Sequence, residues 1–339
     1  MSAFRLTLAA LLLPAGTALL LAVGGCSNPG GGAGDRASLP YQIYVGNEGS
    51  GDVTILDGIT RKKVGAIPVG QGPRGIQASP DGRYLYVALS GVDDIAVIDL
   101  EARRKLRTIR IGADPDEIAV SPDGTRLFVS NGKAETVTAV NAATGSVERV
   151  IPVSGEPRGI RFTPDARLVY VACEVGGEVA VLDADDGHVR ERFAVGRRPR
   201  SVAFSPDGAR AIILSESTGE LLLLDTQSGS VRAAVRLPQG SRPTDVAVRR
   251  DGRRIFVTNG RAGTVTVHDP SGALLRVIRV GPRPWGLALS PDQKVLYVAN
   301  GPSNEVSVVD LSNYREIDRI AVGQGPRGVA AARTPDRNP

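Results

Sequence analysis

The 339-residue chain contains very few of the side chains that usually form catalytic or metal sites. Its only histidines, His188 and His268, fall in separate segments, whereas a zinc site needs several converging nitrogen, sulfur or oxygen ligands. The sequence also lacks a Gly-x-Ser-x-Gly elbow and a glycine-rich phosphate loop. We therefore expect no bound metal, no cofactor and no catalytic constellation of a familiar type.

A strong excess of one charge is missing as well. The 41 Lys and Arg residues only slightly outnumber the 36 Asp and Glu residues, and the formal net charge is +5. Much of the basic charge lies in segments that we expect to be outer-edge strands, where charge discourages sheet-to-sheet aggregation. Basic domains often bind nucleic acid, but for this chain we expect no nucleic acid among the partners.

The first 25 residues are typical of a secretory signal and not of a folded domain. Their apolar stretch is interrupted by Pro14 and Gly16, which argue against a stable membrane-spanning helix. The segment Leu21-Ala-Val-Gly-Gly-Cys26 resembles the end of a bacterial lipoprotein signal. This resemblance implies removal of residues 1–25 and lipidation of Cys26. The alternatives are an ordinary cleaved signal and a single membrane anchor.

Residues 26–40 are rich in glycine and are predicted to form a flexible tether. If Cys26 is lipidated, Cys173 is the one remaining cysteine, and no disulfide within the mature chain is expected. We therefore expect an exported monomer that is held at the membrane by its lipid anchor and faces the periplasm or the cell exterior.

One short phrase recurs seven times and defines the architecture. It reads Gly70-Gln-Gly-Pro-Arg-Gly-Ile76 near the start and Gly323-Gln-Gly-Pro-Arg-Gly-Val329 near the end. Its prolines stand at positions 73, 115, 157, 199, 243, 284 and 326, so successive repeats are 42, 42, 42, 44, 41 and 42 residues apart. A fixed period in this range indicates a repeat fold.

Each repeat contains four short strand signals separated by turn residues, which predicts a four-stranded antiparallel meander. The second and third strands are apolar on both faces, as in Leu221-Leu-Leu-Leu224, and such strands are covered on both sides. The fourth strands are basic and alternate, as in Arg104-Lys-Leu-Arg-Thr-Ile-Arg110, which is typical of outer edges.

The two ends of the repeat region complement each other. Tyr41-Gln-Ile-Tyr-Val-Gly-Asn47 matches second strands, so the first repeat lacks its innermost strand, whereas Pro326-Arg-Gly-Val-Ala-Ala-Ala332 matches innermost strands and stands alone. The sequence therefore predicts an all-β, seven-bladed β-propeller over residues 41–333. Its ring is closed by the C-terminal strand, which completes the first blade, and residues 334–339 form a tail.

The repeat phrases resemble the YVTN-type β-propeller family of exported and surface proteins. The second strands read Tyr44-Val-Gly-Asn47, Phe256-Val-Thr-Asn259 and Tyr297-Val-Ala-Asn300, and a Ser-Pro-Asp-Gly turn recurs at 79, 121 and 205. The resemblance covers residues 41–333. It implies a scaffold and not a particular reaction.

Two groups of polar residues are predicted to be structural. The ends of the third strands have a carboxylate or amide in every repeat, at Asp57, Asp99, Asn141, Asp183, Asp225, Asp269 and Asp310. A residue that geometry demands seven times indicates turn capping and not a single active site. Cys173 has no basic or histidine neighbour in the sequence, so we expect a small buried residue and not a nucleophile.

The best candidate site is the position where the repeats disagree, directly after each proline, at the mouth of the central channel. Around the ring these mouth residues are Arg74, Asp116, Arg158, Arg200, Thr244, Trp285 and Arg327. Arg198, Arg242 and Arg283 are expected near them, against Asp114, Glu117, Glu156 and Asp245. Arginines beside an exposed aromatic suit an anionic or ring-bearing ligand. The alternative is that each arginine pairs structurally with a carboxylate.

The leading functional hypothesis is a non-enzymatic binding or scaffold propeller at the cell envelope. Its partner would be an envelope protein or an anionic small ligand, held by the face that bears the Pro-Arg-Gly entries and the loops between second and third strands. The alternatives are a lactonase-like hydrolase, starting from Asp116, Glu117 and Arg158, and an accessory subunit of a periplasmic redox system.

Overall fold

The computed structural model describes residues 40–153 and 155–334. These residues form 28 strands in seven four-stranded antiparallel sheets, which confirms the predicted seven-bladed propeller. The predicted signal peptide, Cys26 with most of the tether, Ser154, and the tail from 335 onward lie outside the described residues. The lipid anchor therefore stays a prediction. Within the described ranges, no helix is long and apolar enough to cross a membrane.

In every blade the first strand named lies at the channel and the fourth at the outer edge. Blades 1 to 3 are β28 (Pro326–Arg333), β1 (Tyr41–Asn47), β2 (Asp52–Asp57) and β3 (Lys63–Pro68); β4 (Pro73–Ala78), β5 (Tyr84–Leu89), β6 (Asp94–Asp99) and β7 (Arg104–Arg110); β8 (Pro115–Val120), β9 (Arg126–Asn131), β10 (Thr136–Asn141) and β11 (Val147–Pro152). Blades 4 and 5 are β12 (Pro157–Phe162), β13 (Leu168–Cys173), β14 (Glu178–Asp183) and β15 (Val189–Ala194); β16 (Pro199–Phe204), β17 (Arg210–Ser215), β18 (Glu220–Asp225) and β19 (Val231–Arg236). Blades 6 and 7 are β20 (Pro243–Val248), β21 (Ile255–Asn259), β22 (Thr264–His268) and β23 (Leu274–Arg279); β24 (Pro284–Leu289), β25 (Val295–Asn300), β26 (Glu305–Asp310) and β27 (Arg315–Ala321).

The apolar core lies between neighbouring blades. In β18 the run Leu221-Leu-Leu-Leu224 is buried on both faces, whereas β11 buries only Ile151. Aromatic rings cross the blade boundaries: Phe128 and Phe162 meet edge to face with centroids 5.2 Å apart. Because each sheet is covered on both sides, its two middle strands are buried along most of their length, whereas the fourth strand is largely exposed.

The C-terminal strand closes the ring, as predicted. β28 pairs with β1 in antiparallel register, with Val329 opposite Val45 and Ala330 opposite Tyr44. Blade 7 is joined to blade 1 by a hydrogen bond of 3.1 Å between the hydroxyls of Tyr297 and Tyr41. The Tyr297 hydroxyl also donates to the Gly58 carbonyl at 3.0 Å.

The carboxylates at the third-strand ends cap turns, as predicted. Asp57 Oδ1 accepts the backbone N–H groups of Ile59 and Thr60 at 3.0 and 2.7 Å. Asn141 Oδ1 does the same in blade 3, at 3.1 and 3.0 Å. These turns occupy one end of the propeller. The Pro-Arg-Gly entries and the loops between second and third strands occupy the other end, which we term the mouth face.

Candidate functional site

The Pro-Arg-Gly phrase is set by the close approach of neighbouring innermost strands. A Cβ atom on Gly75, Gly159 or Gly286 would lie 2.5 Å from a backbone carbonyl oxygen of the next blade. A residue with a Cβ atom does not fit at such a distance, so glycine is required at these three positions. Four of the seven repeats have glycine at this position. In all seven repeats the residue between it and the proline lies at the mouth, where the fold brings the seven copies together.

Six of the seven mouth residues line one cavity of about 1070 Å³, the central channel. They are Arg74, Asp116, Arg200, Thr244, Trp285 and Arg327. The seventh, Arg158, is joined to them through carboxylates, with its Nη1 3.2 Å from Asp114 and 3.7 Å from Asp116. The Thr244 hydroxyl is already engaged, because it donates to the Pro284 carbonyl at 3.0 Å.

Arginines and carboxylates alternate along the mouth of blades 1 and 2. Arg327 Nη1 lies 2.9 Å from Glu48 Oε2, and Glu48 Oε1 accepts Arg74 Nε at 2.8 Å. Arg74 Nη1 then donates to Asp114 Oδ1 at 2.9 Å. Arg327 and Arg74 therefore pair with carboxylates, which is the structural alternative considered for the mouth arginines in the sequence analysis.

The alternation continues through blades 3 to 5. Asp114 Oδ2 accepts Arg158 Nη1 at 3.2 Å, and Arg158 Nε donates to Glu174 Oε2 at 3.1 Å. The same Glu174 oxygen lies 3.2 Å from Arg200 Nη1, and Arg198 also binds this carboxylate. We term the whole series, from Arg327 to Arg200, the arginine–carboxylate chain.

Two carboxylates of this chain, Glu48 and Glu174, were missed by the sequence reasoning. Both follow the last residue of a second strand, and Glu216 stands at the same position in blade 5. The other four blades have Ser90, Gly132, Gly260 and Gly301 there. A glutamate at this one position, in three blades only, is the signal that could have revealed them.

Burial and charge oppose each other in the chain. Burial by itself would raise the pKa of Asp116, but the surrounding arginines, Arg327 foremost, hold that pKa below its usual range. Burial would likewise lower the pKa of Arg74, yet its carboxylate neighbours raise that pKa, so the guanidinium stays charged. Most groups of the chain have more than one partner of opposite charge, so the network keeps each buried charge compensated.

Blades 6 and 7 form a different sector of the mouth. The guanidinium carbons of Arg327, Arg200 and Arg283 lie 4.6, 5.4 and 5.7 Å from the centroid of the Trp285 ring. Arg242 and Arg283 are exposed, and within the described part of the chain neither has a carboxylate oxygen within 4.0 Å. We term Arg242, Arg283 and Trp285 the Trp285 sector.

Glu117 and Asp245 face the channel and not the mouth network. Burial raises the pKa of Glu117 to about 8 and also raises the pKa of Asp245, while Arg161 opposes both shifts. Asp116 and Arg158, the other two residues of the hydrolase alternative, are engaged in the arginine–carboxylate chain. Asp116 and Arg158 therefore belong to the ion-pair network, whereas Glu117 faces the channel apart from them.

The remaining polar candidates occupy structural positions. Cys173 is fully buried, and burial raises the pKa of its thiol to about 11. His268 is buried in blade 6, where its Nδ1 forms a 2.9 Å hydrogen bond with the Gly272 carbonyl. His188 is exposed in a turn of blade 4.

Solved structures from several bacteria share the fold. Hydrazine synthase from Kuenenia stuttgartiensis is 22% identical with a TM-score of 0.75, over 80% of this chain and 92% of that one. A protein of unknown function from Desulfotomaculum acetoxidans DSM 771 is 18% identical with a TM-score of 0.76, over 86% and 98%. A candidate 6-phosphogluconolactonase from Bacteroides uniformis ATCC 8492 is 18% identical with a TM-score of 0.73, over 86% and 99%.

These identities show a common fold and nothing about activity. No curated protein sequence matches the chain. A family model described as YNCE-like beta-propeller matches residues 86–337, which is most of the repeat region. The chain therefore belongs to the YNCE-like β-propeller family, a YVTN-type family, as its repeat phrases predicted.

Proposed function

We propose that the protein is a non-enzymatic binding module of the cell envelope, which captures a ligand or partner through an anionic group at its mouth face. The observation that carries the proposal is the Trp285 sector. Trp285 lines the channel with Arg283 over its ring, and Arg242 is the residue before the mouth proline of the preceding blade. Among the described residues, neither arginine has a carboxylate partner within 4.0 Å. Guanidinium groups bind carboxylates and phosphates through paired hydrogen bonds, and they stack on aromatic rings.

The arginine–carboxylate chain supports this role by fixing the rest of the mouth. In blades 1 to 5 every mouth arginine lies within ion-pair distance of at least one carboxylate, so an anion would have to displace a carboxylate there. In blades 6 and 7 an anion would meet Arg242 and Arg283 without such competition. A rigid wall beside an accessible cationic edge lowers the ordering cost of binding.

We do not propose hydrolysis, because Asp116, the first candidate residue for it, is held by arginines. Asp116 Oδ1 lies 3.3, 3.6 and 3.7 Å from the guanidinium nitrogens of Arg74, Arg327 and Arg158. A carboxylate held by three arginines is a weak base and a poor nucleophile. The envelope location in the proposal rests on the signal and tether features of the sequence.

The test uses the fact that Trp285 is the only tryptophan of the chain. Its fluorescence is followed during titration with inorganic phosphate, citrate and hexaglutamate at constant ionic strength. We expect saturable binding of at least one anion, and Arg242→Ala with Arg283→Ala should weaken it at least about tenfold, or 1.4 kcal/mol. The matched control is Arg104→Ala on the outer strand of blade 2, which should leave the affinity unchanged.

Absence of a saturable response to all three anions, or equal affinities of the double variant and the wild type, would contradict the proposal. A co-purification from detergent-solubilised envelopes, comparing the wild type with the same double variant, then tests for a protein partner. We expect an acidic partner to be retained by the wild type and lost with the double variant.

A further inference from the structure

Below the mouth, the channel is lined mainly by residues without long side chains. The second residue after each mouth proline is Gly75, Glu117, Gly159, Ser201, Asp245, Gly286 or Gly328, and the fourth is Gln77, Ala119, Arg161, Ala203, Ala247, Ala288 or Ala330. All of them line the cavity of about 1070 Å³. Glycine and alanine predominate at these positions, and the long or charged polar side chains among them are Gln77, Glu117, Arg161 and Asp245.

Arg161 provides one charge of this space. Its Nη1 donates to Gln77 Oε1 at 3.3 Å, and no carboxylate oxygen of residues 40–153 or 155–334 lies within 4.0 Å of its guanidinium nitrogens. A guanidinium has five N–H donors, so most of them remain for a ligand or for solvent. Arg161 thus differs from the mouth arginines, which are bound by carboxylates.

Glu117 provides a carboxyl that can become the opposite charge. Its backbone N–H donates to Ser130 Oγ at 3.1 Å, but no basic side chain of the described residues lies within 4.0 Å of its carboxylate. Arg161 acts on it only from a longer distance. The channel therefore contains a guanidinium and a carboxyl that interact electrostatically but form no direct ion pair.

The Asp245 carboxylate, unlike that of Glu117, is already engaged in hydrogen bonds within the protein. Its carboxylate accepts Ser201 Oγ at 3.0 Å, the backbone N–H of Val246 at 2.8 Å and that of Leu287 at 3.2 Å. The bonds from Ser201 and Leu287 join the innermost strands of blades 5, 6 and 7, and the bond from Val246 lies within β20. Asp245 is therefore a structural link between blades, and Glu117 is the carboxyl left to face a ligand.

We propose that the channel beneath the mouth binds a small zwitterion, with its anionic group on Arg161 and its ammonium group on Glu117. A plain anion would leave the Glu117 carboxyl without a cationic partner, and a plain cation would leave Arg161 without an anionic one. A molecule that bears both charges supplies a partner to each residue and favours the ionised form of Glu117. The channel site uses no residue of the Trp285 sector, so it does not depend on the proposed function.

Proton release provides an independent signature of the site. The charged groups that act on Glu117 are Arg161 from β12, Asp245 from β20 and Asp116 from its own strand, while Arg74 of β4 and Arg126 of β9 bind other carboxylates. Burial raises the pKa of Glu117 to about 8, so the carboxyl is mostly protonated at neutral pH. A bound ammonium group favours the ionised form, so binding at neutral pH should release up to one proton.

The experiment is isothermal titration calorimetry of the wild-type protein with glycine, β-alanine, γ-aminobutyrate and ε-aminocaproate. The series varies the separation of the two charges. For the best ligand, the N-acetyl derivative removes the cation and the amide removes the anion. We expect saturable binding of at least one amino acid, at least about tenfold weaker binding of both derivatives, and a proton release that is detected in buffers of different ionisation enthalpy.

Arg161→Gln and Glu117→Gln should each weaken binding at least about tenfold, whereas Arg104→Gln should not change it. Failure of all four amino acids to bind would overturn the proposal, and so would an N-acetyl derivative or an amide that binds as well as its parent. Because the derivatives are tested on the wild-type protein, the proposal stays falsifiable even if a channel variant fails to fold. Loss of anion binding at the Trp285 sector alone would count against the proposed function only.

Discussion

At the scale of single residues, location decides how similar side chains behave. Asp116 and Glu117 are adjacent in β8, yet the arginines around Asp116 lower its pKa, and burial raises that of Glu117 to about 8. Sequence adjacency placed both near the mouth. The sequence could not predict their opposite behaviour, because the arginines that lower the pKa of Asp116, Arg327 foremost, belong to other blades.

Glu117 should make the stability of the protein depend on pH. The pKa of its carboxyl is 4.5 in the unfolded chain and about 8 in the folded one, so the folded state binds the proton more tightly between these values. The free energy of unfolding should therefore fall as pH rises through this window, by at most about 1.4 kcal/mol per pH unit. Because the carboxyl faces a cavity, we expect a change smaller than this maximum.

The measurement is urea denaturation of the wild type and of Glu117→Gln, from about pH 5 to about pH 8.5. The uncharged glutamine lacks this titration, so the variant should become more stable relative to the wild type as pH rises. A difference in unfolding free energy between the two proteins that stays constant across the window would show that Glu117 titrates normally.

At the scale of strands, a pair of positions seven residues apart links the second and third strands in four of the blades. In four blades an asparagine ends the second strand and donates to a hydroxyl of the third, over 2.8 to 3.2 Å: Asn47 to Thr54, Asn131 to Thr138, Asn259 to Thr266 and Asn300 to Ser307. Blade 4 has Cys173 and Ala180 at these two positions, both buried in one core cluster, so both partners are replaced together. The polar pair and the apolar pair are two ways to fill the same buried space.

This pairing predicts a specific double-mutant result in blade 4. Cys173→Asn places an amide without its hydroxyl partner in a fully buried site and should lower the free energy of unfolding by about 1–3 kcal/mol. Adding Ala180→Thr supplies the partner found in blade 3, so part of that loss should be recovered. Thermal and urea denaturation of both single variants and the double variant measure the coupling. Additive changes in unfolding free energy would mean that the side chains at positions 173 and 180 do not interact.

At the scale of the whole molecule, regularity made the fold predictable and irregularity hid part of the site. The proline spacing predicted the blade number, the strand signals within one repeat predicted the strand order, and the complementary ends predicted ring closure. These features repeat because each blade buries its faces against its neighbours. The mouth residues could be predicted because they share one register position. Glu48 and Glu174 could not be paired with them from sequence, since they come from other loops and reach arginines of adjacent blades. The channel charges depend on the same kind of contact between blades.

Ring closure by β28 should control the cooperativity of unfolding. Deletion of residues 326–339 removes the strand that pairs with β1 from Tyr41 to Asn47 and exposes the edge of a buried strand. It also removes Arg327 and leaves Glu48 with Arg74 alone. We expect a lower melting temperature and a broader transition by circular dichroism, because the terminal blades lose their contact. The matched control deletes only residues 335–339, which follow the last strand, and should melt like the full chain. An equally sharp transition at the same temperature in both truncated proteins would mean that the ring does not depend on this strand for its cooperative stability.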